Sequence, residues 1–172
     1  MSTAIASPAA APLGDATRER FAREVAKYPA DQAQSAVMAC LSIVQQEQGW
    51  VSPASEKAVA DYLGMPVMAV HEVTTFYNMY NQKPVGRFKL NVCTNAPCMF
   101  AGGPEDLQHL CGKLGVEPYG TTADGQFTVQ PSECLGACGD APVMLVNDRH
   151  MCSFMSNDKL DQLVDGLRQA ED

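Results

Sequence analysis

The sequence predicts a protein of the α+β or α/β class, with a small helical bundle followed by a compact domain in which helices flank a small mixed sheet. In the first half of the chain, apolar residues recur with the period of a helix. From Phe88 they alternate with polar residues, which is the period of a strand. The character changes at Lys83-Pro84-Val85-Gly86. We therefore predict a disordered tail at residues 1–15, the bundle at 16–82 and the second domain at 83–172.

The first two helices are predicted from their ends. Thr17 is a candidate N-cap, because a threonine hydroxyl accepts hydrogen bonds from free backbone N–H groups, and the helix that follows it stops near Pro29. A second helix is predicted over residues 32–48, where the apolar positions keep a helical period. Gly49 is a suitable terminator for it.

The third and fourth helices are predicted in the same way. Ser52 followed by Pro53 marks a helix start, because serine caps an N-terminus and proline is favoured at the first helical position. Gly64 ends this helix, and Pro66 begins the fourth. Several large apolar residues are interpreted mainly as core and, as a second interpretation, as a subunit interface. These residues are Phe76, Tyr77, Met79 and Tyr80, together with Trp50.

The second domain is predicted to begin with a strand at residues 88–92, which buries one face and runs directly into Cys93. A helix follows from Pro104 to Lys113, with its apolar side inward.

Turn and cap residues predict the remaining elements. Asp124-Gly125 indicates a hairpin leading into a strand. Asn147-Asp148 joins two further strands, at residues 143–146 and 149–152. Ser156 caps a last amphipathic helix.

Composition excludes several functions. A hydrophobic fraction of 46% and a charged fraction of 19% are typical of a globular protein. A net charge of −8 argues against nucleic acid as a partner. No stretch approaches the ~20 apolar residues of a membrane span, so we expect no direct membrane contact. The N-terminus lacks the features of a signal peptide, and the seven cysteines are therefore expected in a reducing cytoplasm.

Two cysteine pairs together resemble the ligands of one metal centre. Four residues separate Cys93 from Cys98, three separate Cys134 from Cys138, and thirty-five lie between the pairs. Each pair is expected in a short loop that contains proline or glycine. Four thiolates favour zinc or iron–sulfur chemistry over hard cations.

The spacing distinguishes among thiolate sites. Zinc knuckles and thioredoxin-type dithiols place two residues between cysteines, which neither pair does. A Rieske centre needs histidines beside the cysteines, and His71, His109 and His150 lie elsewhere, so they are interpreted as surface or interface residues. Two separated loops favour a [2Fe-2S] cluster in which each loop ligates one iron. On spacing alone, a structural zinc site in an interaction module remains the alternative.

A resemblance to a known family is carried by five segments. They are Phe76-Tyr77-Asn78-Met79-Tyr80, Lys83-Pro84-Val85-Gly86-Arg87, Cys93-x4-Cys98, Glu133-Cys134-Leu135-Gly136-Ala137-Cys138 and Ala141-Pro142. Over about residues 17 to 168, the chain resembles the small iron–sulfur subunit of NADH:quinone oxidoreductase (respiratory complex I), known in bacteria as the E subunit. The resemblance implies a thioredoxin-like [2Fe-2S] ferredoxin domain. It also implies the cluster ligands, which are Cys93, Cys98, Cys134 and Cys138.

The resemblance further implies an electron-transfer role within an enzyme complex. In that family the domain packs beside a flavoprotein subunit that binds NADH and FMN, among other subunits of a peripheral arm on the cytoplasmic side of the inner membrane. Equivalent subunits of NAD-reducing hydrogenases and NAD-dependent formate dehydrogenases are the alternatives. The chain has no G-x-G-x-x-G or P-loop motif, so we expect NADH and FMN on the partner, and no catalytic residue or substrate pocket here.

Small residues near the second pair have two interpretations. The backbone N–H groups of Gly136, Ala137 and Gly139 are expected to donate to the cluster sulfurs, or else the glycines serve turn geometry alone. Gly102-Gly103 is interpreted as the start of a helix. The remaining cysteines are expected to pack as small apolar side chains. They are Cys40, Cys111 and Cys152.

Overall fold

The computed structural model describes residues 13–170, which divide into two compact units, one ending at Pro84 and the other beginning at Val85. Residues 1–12 of the predicted tail lie outside the described residues. Leu13 is buried, and the first helix begins at Asp15. Within residues 13–170, no helix is both long enough and apolar enough to span a bilayer.

The first unit is the predicted helical bundle. Its helices are α1 (Asp15–Val25), α2 (Val37–Gln48), α3 (Pro53–Leu63) and α4 (Val67–Phe76), with a 3₁₀ segment at Ala30–Ala36 before α2. Apolar side chains from all four helices form one core, because each helix buries one side of its surface against the others. The largest wholly buried side chains are Phe21, Leu41, Val44, Val59 and Val70.

Two helix starts differ from the prediction. Thr17 is not the N-cap of α1, because Gly14 holds that position. Thr17 lies inside the first turn, where a residue is too late in the chain to cap, and its hydroxyl donates to Oε2 of Glu47 at 2.6 Å. The second helix begins at Val37 because the preceding segment is 3₁₀ and contains Gln32 in a non-helical conformation.

The other predicted helix ends are confirmed. The Ser52 hydroxyl accepts from the N–H of Ser55 at 3.1 Å, with Pro53 in the first turn. Gly49 and Gly64 end α2 and α3 with φ of +79° and +66°, the left-handed conformation that glycine adopts without a steric penalty.

The interpretation of the large apolar residues as core is wrong for three of them. Tyr80 is buried and donates its hydroxyl to the carbonyl oxygen of Met38 at 2.8 Å. Phe76, Tyr77 and Met79 are exposed, Phe76 by 80%. The helix ends at Phe76 because Tyr77 is extended, and the helical period that would have turned Tyr77 and Met79 inward therefore stops there. Phe76 is the last residue of the helix and lies on its exposed side.

The second unit is a five-stranded mixed sheet with helices. Its strands, in the spatial order β2-β3-β1-β4-β5, are β1 (Phe88–Cys93), β2 (Gly120–Thr121), β3 (Phe127–Ser132), β4 (Met144–Val146) and β5 (His150–Cys152). Strands β1 and β3 are parallel, and the other pairs are antiparallel. The turn predicted at Asn147-Asp148 joins β4 to β5 with φ of +51° and +55°. The mixed sheet is confirmed.

The prediction that β1 buries only one face is wrong. All six residues of β1 are buried, because it is the central strand. The buried Nζ of Lys89 lies 2.6 Å from Oδ2 of Asp148. Asn91 donates to Oδ1 of the same Asp148 at 2.6 Å and accepts from Gln130 at 2.8 Å. These hydrogen bonds and the ion pair offset the free-energy cost of burying the polar side chains.

Two long helices, α6 (Gly103–Leu114) and α7 (Asn157–Gln169), pack on the apolar face of the sheet. Ser156 caps α7, and its hydroxyl accepts from the N–H of Lys159 at 3.4 Å. Ion pairs cross between the helices: Asp161 Oδ1 lies 2.8 Å from Nε2 of His109 and 3.1 Å from Nζ of Lys113.

The ion pairs of Asp161 predict that the stability of the fold depends on pH. Hydrogen bonds from His109 and then Lys113 lower the pKa of Asp161. A carboxyl group whose pKa is lower in the folded state stabilises the folded protein at any pH above its pKa in the unfolded chain, which is about 4. This stabilisation is lost as the pH falls through the pKa of the folded state. Asp161→Asn should therefore unfold more easily than the unsubstituted chain at neutral pH, and the two should converge once the pH lies below the lowered pKa of Asp161 in the folded state. Circular dichroism against pH measures this. Asp61→Asn, which breaks the exposed pair with Lys57 in the other unit, controls for net charge.

Candidate metal centre

The parallel pairing of β1 and β3 brings the two cysteine pairs to one edge of the sheet. Cys93 is the last residue of β1 and stands opposite Ser132, the last residue of β3. Cys134 follows Ser132 by two residues. The carboxyl ends of parallel strands meet at the same edge, so two cysteine pairs with thirty-five residues between them become neighbours.

The first pair is held by a short helix that the sequence analysis did not predict, since a loop was expected there. Helix α5 (Ala96–Phe100) carries Cys98. Asn95 is its N-cap, and its Oδ1 accepts from the N–H of Ala96 at 2.9 Å. Cys93 and Cys98 are only 2% and 1% exposed.

The second pair lies in an exposed turn. The sulfur atoms of Cys134 and Cys138 are 3.6 Å apart, which is far longer than a disulfide. The N–H of Gly136 donates to Cys134 Sγ at 3.4 Å, as the sequence analysis expected. Gly136 also has φ of +80°, so turn geometry requires glycine there as well. Among residues 13–170, Gly139 is not one of the glycines with positive φ, and neither Ala137 nor Gly139 donates to a cysteine sulfur.

The two pairs affect each other's ionisation. Burial raises the pKa of the Cys98 thiol, and the neighbouring Cys93 and Cys138 raise it further. The hydrogen bond and charge of Cys134 raise the pKa of Cys138, to which Cys93 also contributes. Thiols that raise each other's pKa ionise together readily only when a cation shares their charge.

Two hydrogen bonds link the two cysteine segments, and the sequence did not predict them. Asn95 Nδ2 donates to Oε2 of Glu133 at 2.7 Å, which joins the middle of the first pair to the residue before Cys134. The N–H of Thr94 also donates to the carbonyl oxygen of Ser132 at 3.1 Å. The positions of Asn95 between two cysteines and Glu133 beside a third were the available signal.

Gly103 is a second residue whose role the sequence analysis missed. A Cβ atom there would press on the carbonyl oxygen of Cys93, well inside van der Waals distance, and would lie 3.0 Å from that of Cys98. The first turn of α6 thus packs directly on the first cysteine segment, which only glycine permits. The Gly-Gly-Pro sequence soon after Cys98 was the signal, and it was interpreted only as a helix start.

The other cysteines do not join this group. Cys40 and Cys111 are buried in the cores of the two units, as predicted. Burial raises the pKa of Cys40 to about 12. Cys152 packs against the sheet core and not beside the four cysteines. His71 lies beside the buried carboxylate of Glu56, with its Nδ1 3.0 Å from Oε2.

The donor set fits a two-iron cluster. Four thiols stand at one edge as a buried pair and an exposed pair, and Cys93, Cys98 and Val143 share a small apolar cluster with half-buried Leu135 and Ala137 from the second turn. Within residues 13–170, no three or more His, Cys, Asp or Glu side chains surround one point as the ligands of a single ion would. In [2Fe-2S] proteins, two thiolates bind each of the two irons, and backbone N–H groups donate to the sulfur atoms. The two cysteine pairs and the N–H of Gly136 on the Cys134 sulfur fit this pattern.

The Gly136 bond to sulfur can be separated from turn geometry by a matched pair. Gly136→Val and Gly125→Val both place a side chain at positive φ with nothing within 4 Å of the new Cβ, so each should cost about 1–2 kcal/mol of stability. Of these two glycines, Gly136 donates its N–H to a cysteine sulfur and Gly125 does not. We expect the midpoint potential to fall in Gly136→Val alone, because valine cannot keep this φ without strain, and a changed turn moves the backbone N–H away from the Cys134 sulfur, so the reduced cluster loses a hydrogen bond. Equal potentials in both variants would leave turn geometry as the explanation.

Comparison with known proteins identifies the family. The model of the thioredoxin-like [2Fe-2S] ferredoxin family matches residues 21–168. The E subunit of NADH-quinone oxidoreductase from Rickettsia conorii is 38% identical over 146 residues, which are 84% of this chain and 86% of the relative. NADH-quinone oxidoreductase subunit 2 of Thermus thermophilus is 39% identical over 143 residues, which are 83% of this chain and 79% of the relative.

A solved structure shares the fold. The NAD+-reducing [NiFe]-hydrogenase in its H2-reduced state has a TM-score of 0.68 at 21% identity, over 79% of this chain and 23% of that one. The resemblance drawn from the sequence is thus confirmed by the family match. The chain belongs to the thioredoxin-like [2Fe-2S] ferredoxin family, alongside the NADH-quinone oxidoreductase subunits that it resembles over most of its length.

Proposed function

We propose that this chain is the electron-transfer subunit of the NADH dehydrogenase module of respiratory complex I, and that it carries one [2Fe-2S] cluster. The observation that carries the proposal is the pairing of Cys93 with Ser132 in parallel strands, which places two cysteine pairs at one edge. The names of its relatives supply the parent complex.

The proposed ligands are Cys93, Cys98, Cys134 and Cys138. The cluster, when bound, supplies one-electron chemistry at low potential. The buried pair, with Val143, keeps one side of the site apolar and away from water. The exposed pair leaves the other side open, and Gly136 offers a hydrogen bond to the negative sulfur of Cys134.

We further propose that NADH and FMN bind to a flavoprotein partner of the same complex, among other peripheral-arm subunits. No dinucleotide or P-loop motif occurs in this sequence, which supports that division of roles. The chain then works at the cytoplasmic side of the inner membrane through its complex, without a substrate pocket of its own. Equivalent subunits of NAD-reducing hydrogenases or NAD-dependent formate dehydrogenases are the competing parents.

Electron paramagnetic resonance of the anaerobically purified, dithionite-reduced chain tests the cluster, together with iron and zinc analysis. We expect a rhombic signal of about one spin per chain that is absent on oxidation. A colourless chain with stoichiometric zinc and no signal would replace the proposal with a structural zinc module. Purification of the intact complex and identification of the subunits that accompany the chain test the parent.

A further inference from the structure

Asn95 uses both ends of its side-chain amide. Its Oδ1 accepts from the N–H of Ala96 at 2.9 Å, at the start of the helix α5 that carries Cys98. Its Nδ2 donates to Oε2 of Glu133 at 2.7 Å, and Glu133 immediately precedes Cys134. The amide cannot be reversed without losing both bonds, because its oxygen only accepts and its nitrogen only donates. One side chain therefore contacts the segments of both cysteine pairs.

Helix α5 depends strongly on the residue that begins it. The helix has five residues, and helices of this length are not stable by themselves. The carbonyl oxygen of Asn95 accepts from the N–H of Met99 at 2.8 Å, so the same residue also makes the first bond of the helical turn. The position of Cys98 within this turn is thus fixed at Asn95.

The second cysteine segment has few other links to the domain. In the part of the chain that the structure describes, the bond from Asn95 is the only hydrogen bond that residues 133–136 make to another segment, since the N–H of Gly136 donates within the turn. Leu135 adds apolar packing against the buried cysteine pair. Apolar contact is not directional, so the hydrogen bond is the interaction that fixes where this turn lies relative to the buried pair.

We propose that Asn95 and Glu133 are positioning residues of the metal centre, and that their hydrogen bond holds the exposed ligand pair at a fixed separation from the buried pair. In a two-iron cluster whose irons are each bound by one pair, the separation of the pairs must match the separation of the irons. This inference rests on the proposed function for the identity of the metal. The bond itself requires only that the ligands lie on two segments.

The rate at which the purified full chain loses its metal to a chelator tests this proposal. Asn95→Ser keeps an N-cap oxygen for α5, but its side chain ends one atom nearer to the backbone and falls short of Glu133. Glu133→Ala removes the acceptor, whereas Glu133→Gln keeps an oxygen acceptor and removes only the charge. Glu117→Ala is the control, because Glu117 is an exposed residue of the second unit whose side chain makes no hydrogen bond within residues 13–170.

We expect metal release to be about three- to tenfold faster in Asn95→Ser and in Glu133→Ala, the factor that corresponds to the loss of one ordinary hydrogen bond. The double variant should be no faster than either, because the two residues make the same bond. Glu133→Gln and Glu117→Ala should stay within about twofold of the unsubstituted chain. The paramagnetic signal of the reduced chain should broaden in the first two variants and sharpen again in Glu133→Gln, since a loosened turn lets the ligands of one iron take several geometries.

The outcomes separate the positioning role from fold stability and from the proposed function. Unchanged release in Asn95→Ser overturns the positioning role, as does a Glu133→Gln variant that is as fast as Glu133→Ala. Effects of the two single substitutions that multiply in the double variant also overturn it. An unchanged paramagnetic signal with a lowered unfolding temperature overturns it too, since the bond then serves the fold alone. A zinc-containing chain that releases its metal faster in Asn95→Ser refutes electron transfer and keeps the positioning role.

Discussion

Gly103→Ala should destabilise the second unit by about 2–3 kcal/mol and lower the iron content of the chain. The new methyl group would clash with the carbonyl oxygen of Cys93. Relieving the clash requires a shift of the backbone, which disrupts the packing around it. The first turn of α6 or the Cys93–Cys98 segment must then shift, which displaces a ligand. Chemical denaturation of the purified variant and iron per chain measure the two effects.

The matched control for this prediction lies on the same helix. Gly112 is in α6 as well, but a Cβ there has nothing within 4 Å. Gly112→Ala should therefore raise stability by about 0.5–1 kcal/mol, because alanine has the higher helix propensity. If Gly103→Ala behaved like Gly112→Ala, the close packing of α6 on the cysteine segment would have no energetic consequence.

Cys134→Ala should abolish the visible absorbance and the paramagnetic signal of the reduced chain. Cys134 lies in an exposed turn outside the sheet–helix core, so the fold should survive its loss. A two-iron cluster that lacks one of its four thiolates loses a coordination position on one iron. Absorption spectroscopy and iron analysis, with circular dichroism to confirm folding, measure the effect.

Cys152→Ala is the control for the ligand assignment. Cys152 belongs to the second unit and is not fully buried, but it lies outside the proposed ligand set and packs against the sheet core. We expect this variant to keep the full iron content and signal. Retention of the cluster in Cys134→Ala together with its loss in Cys152→Ala would show that the ligand set has been assigned incorrectly.

Local signals predicted the helix ends and turns well. Ser52, Gly49, Gly64 and Asn147-Asp148 act through their own backbone or the next few residues, so sequence neighbours are sufficient to recognise them. The prediction for Thr17 was wrong because the helix already begins at Asp15, and the Thr17 hydroxyl instead donates to Glu47, thirty residues away. No local pattern distinguishes a capping threonine from one that reaches across a bundle.

Periodicity could not predict burial where neighbours decide it. The alternation in β1 indicated one buried face, but the central position of the strand buries Lys89 and Asn91 as well. The apolar character of Phe76 and Tyr77 indicated core, yet both are exposed. An exposed apolar side chain and a buried polar one depend on what surrounds the strand or helix, which the residue type does not contain.

The sequence by itself determined the class of fold, the family and the identity of the four candidate ligands, because cysteine spacing and family segments are local and chemically specific. The tertiary structure alone decided that the pairs meet, since the parallel register of β1 and β3 joins segments distant in sequence. It also decided that one pair is buried and the other exposed, that Asn95 clamps Glu133, and that Gly103 packs on Cys93. Each of these depends on contacts between residues far apart in the chain, which are made only when the whole domain folds.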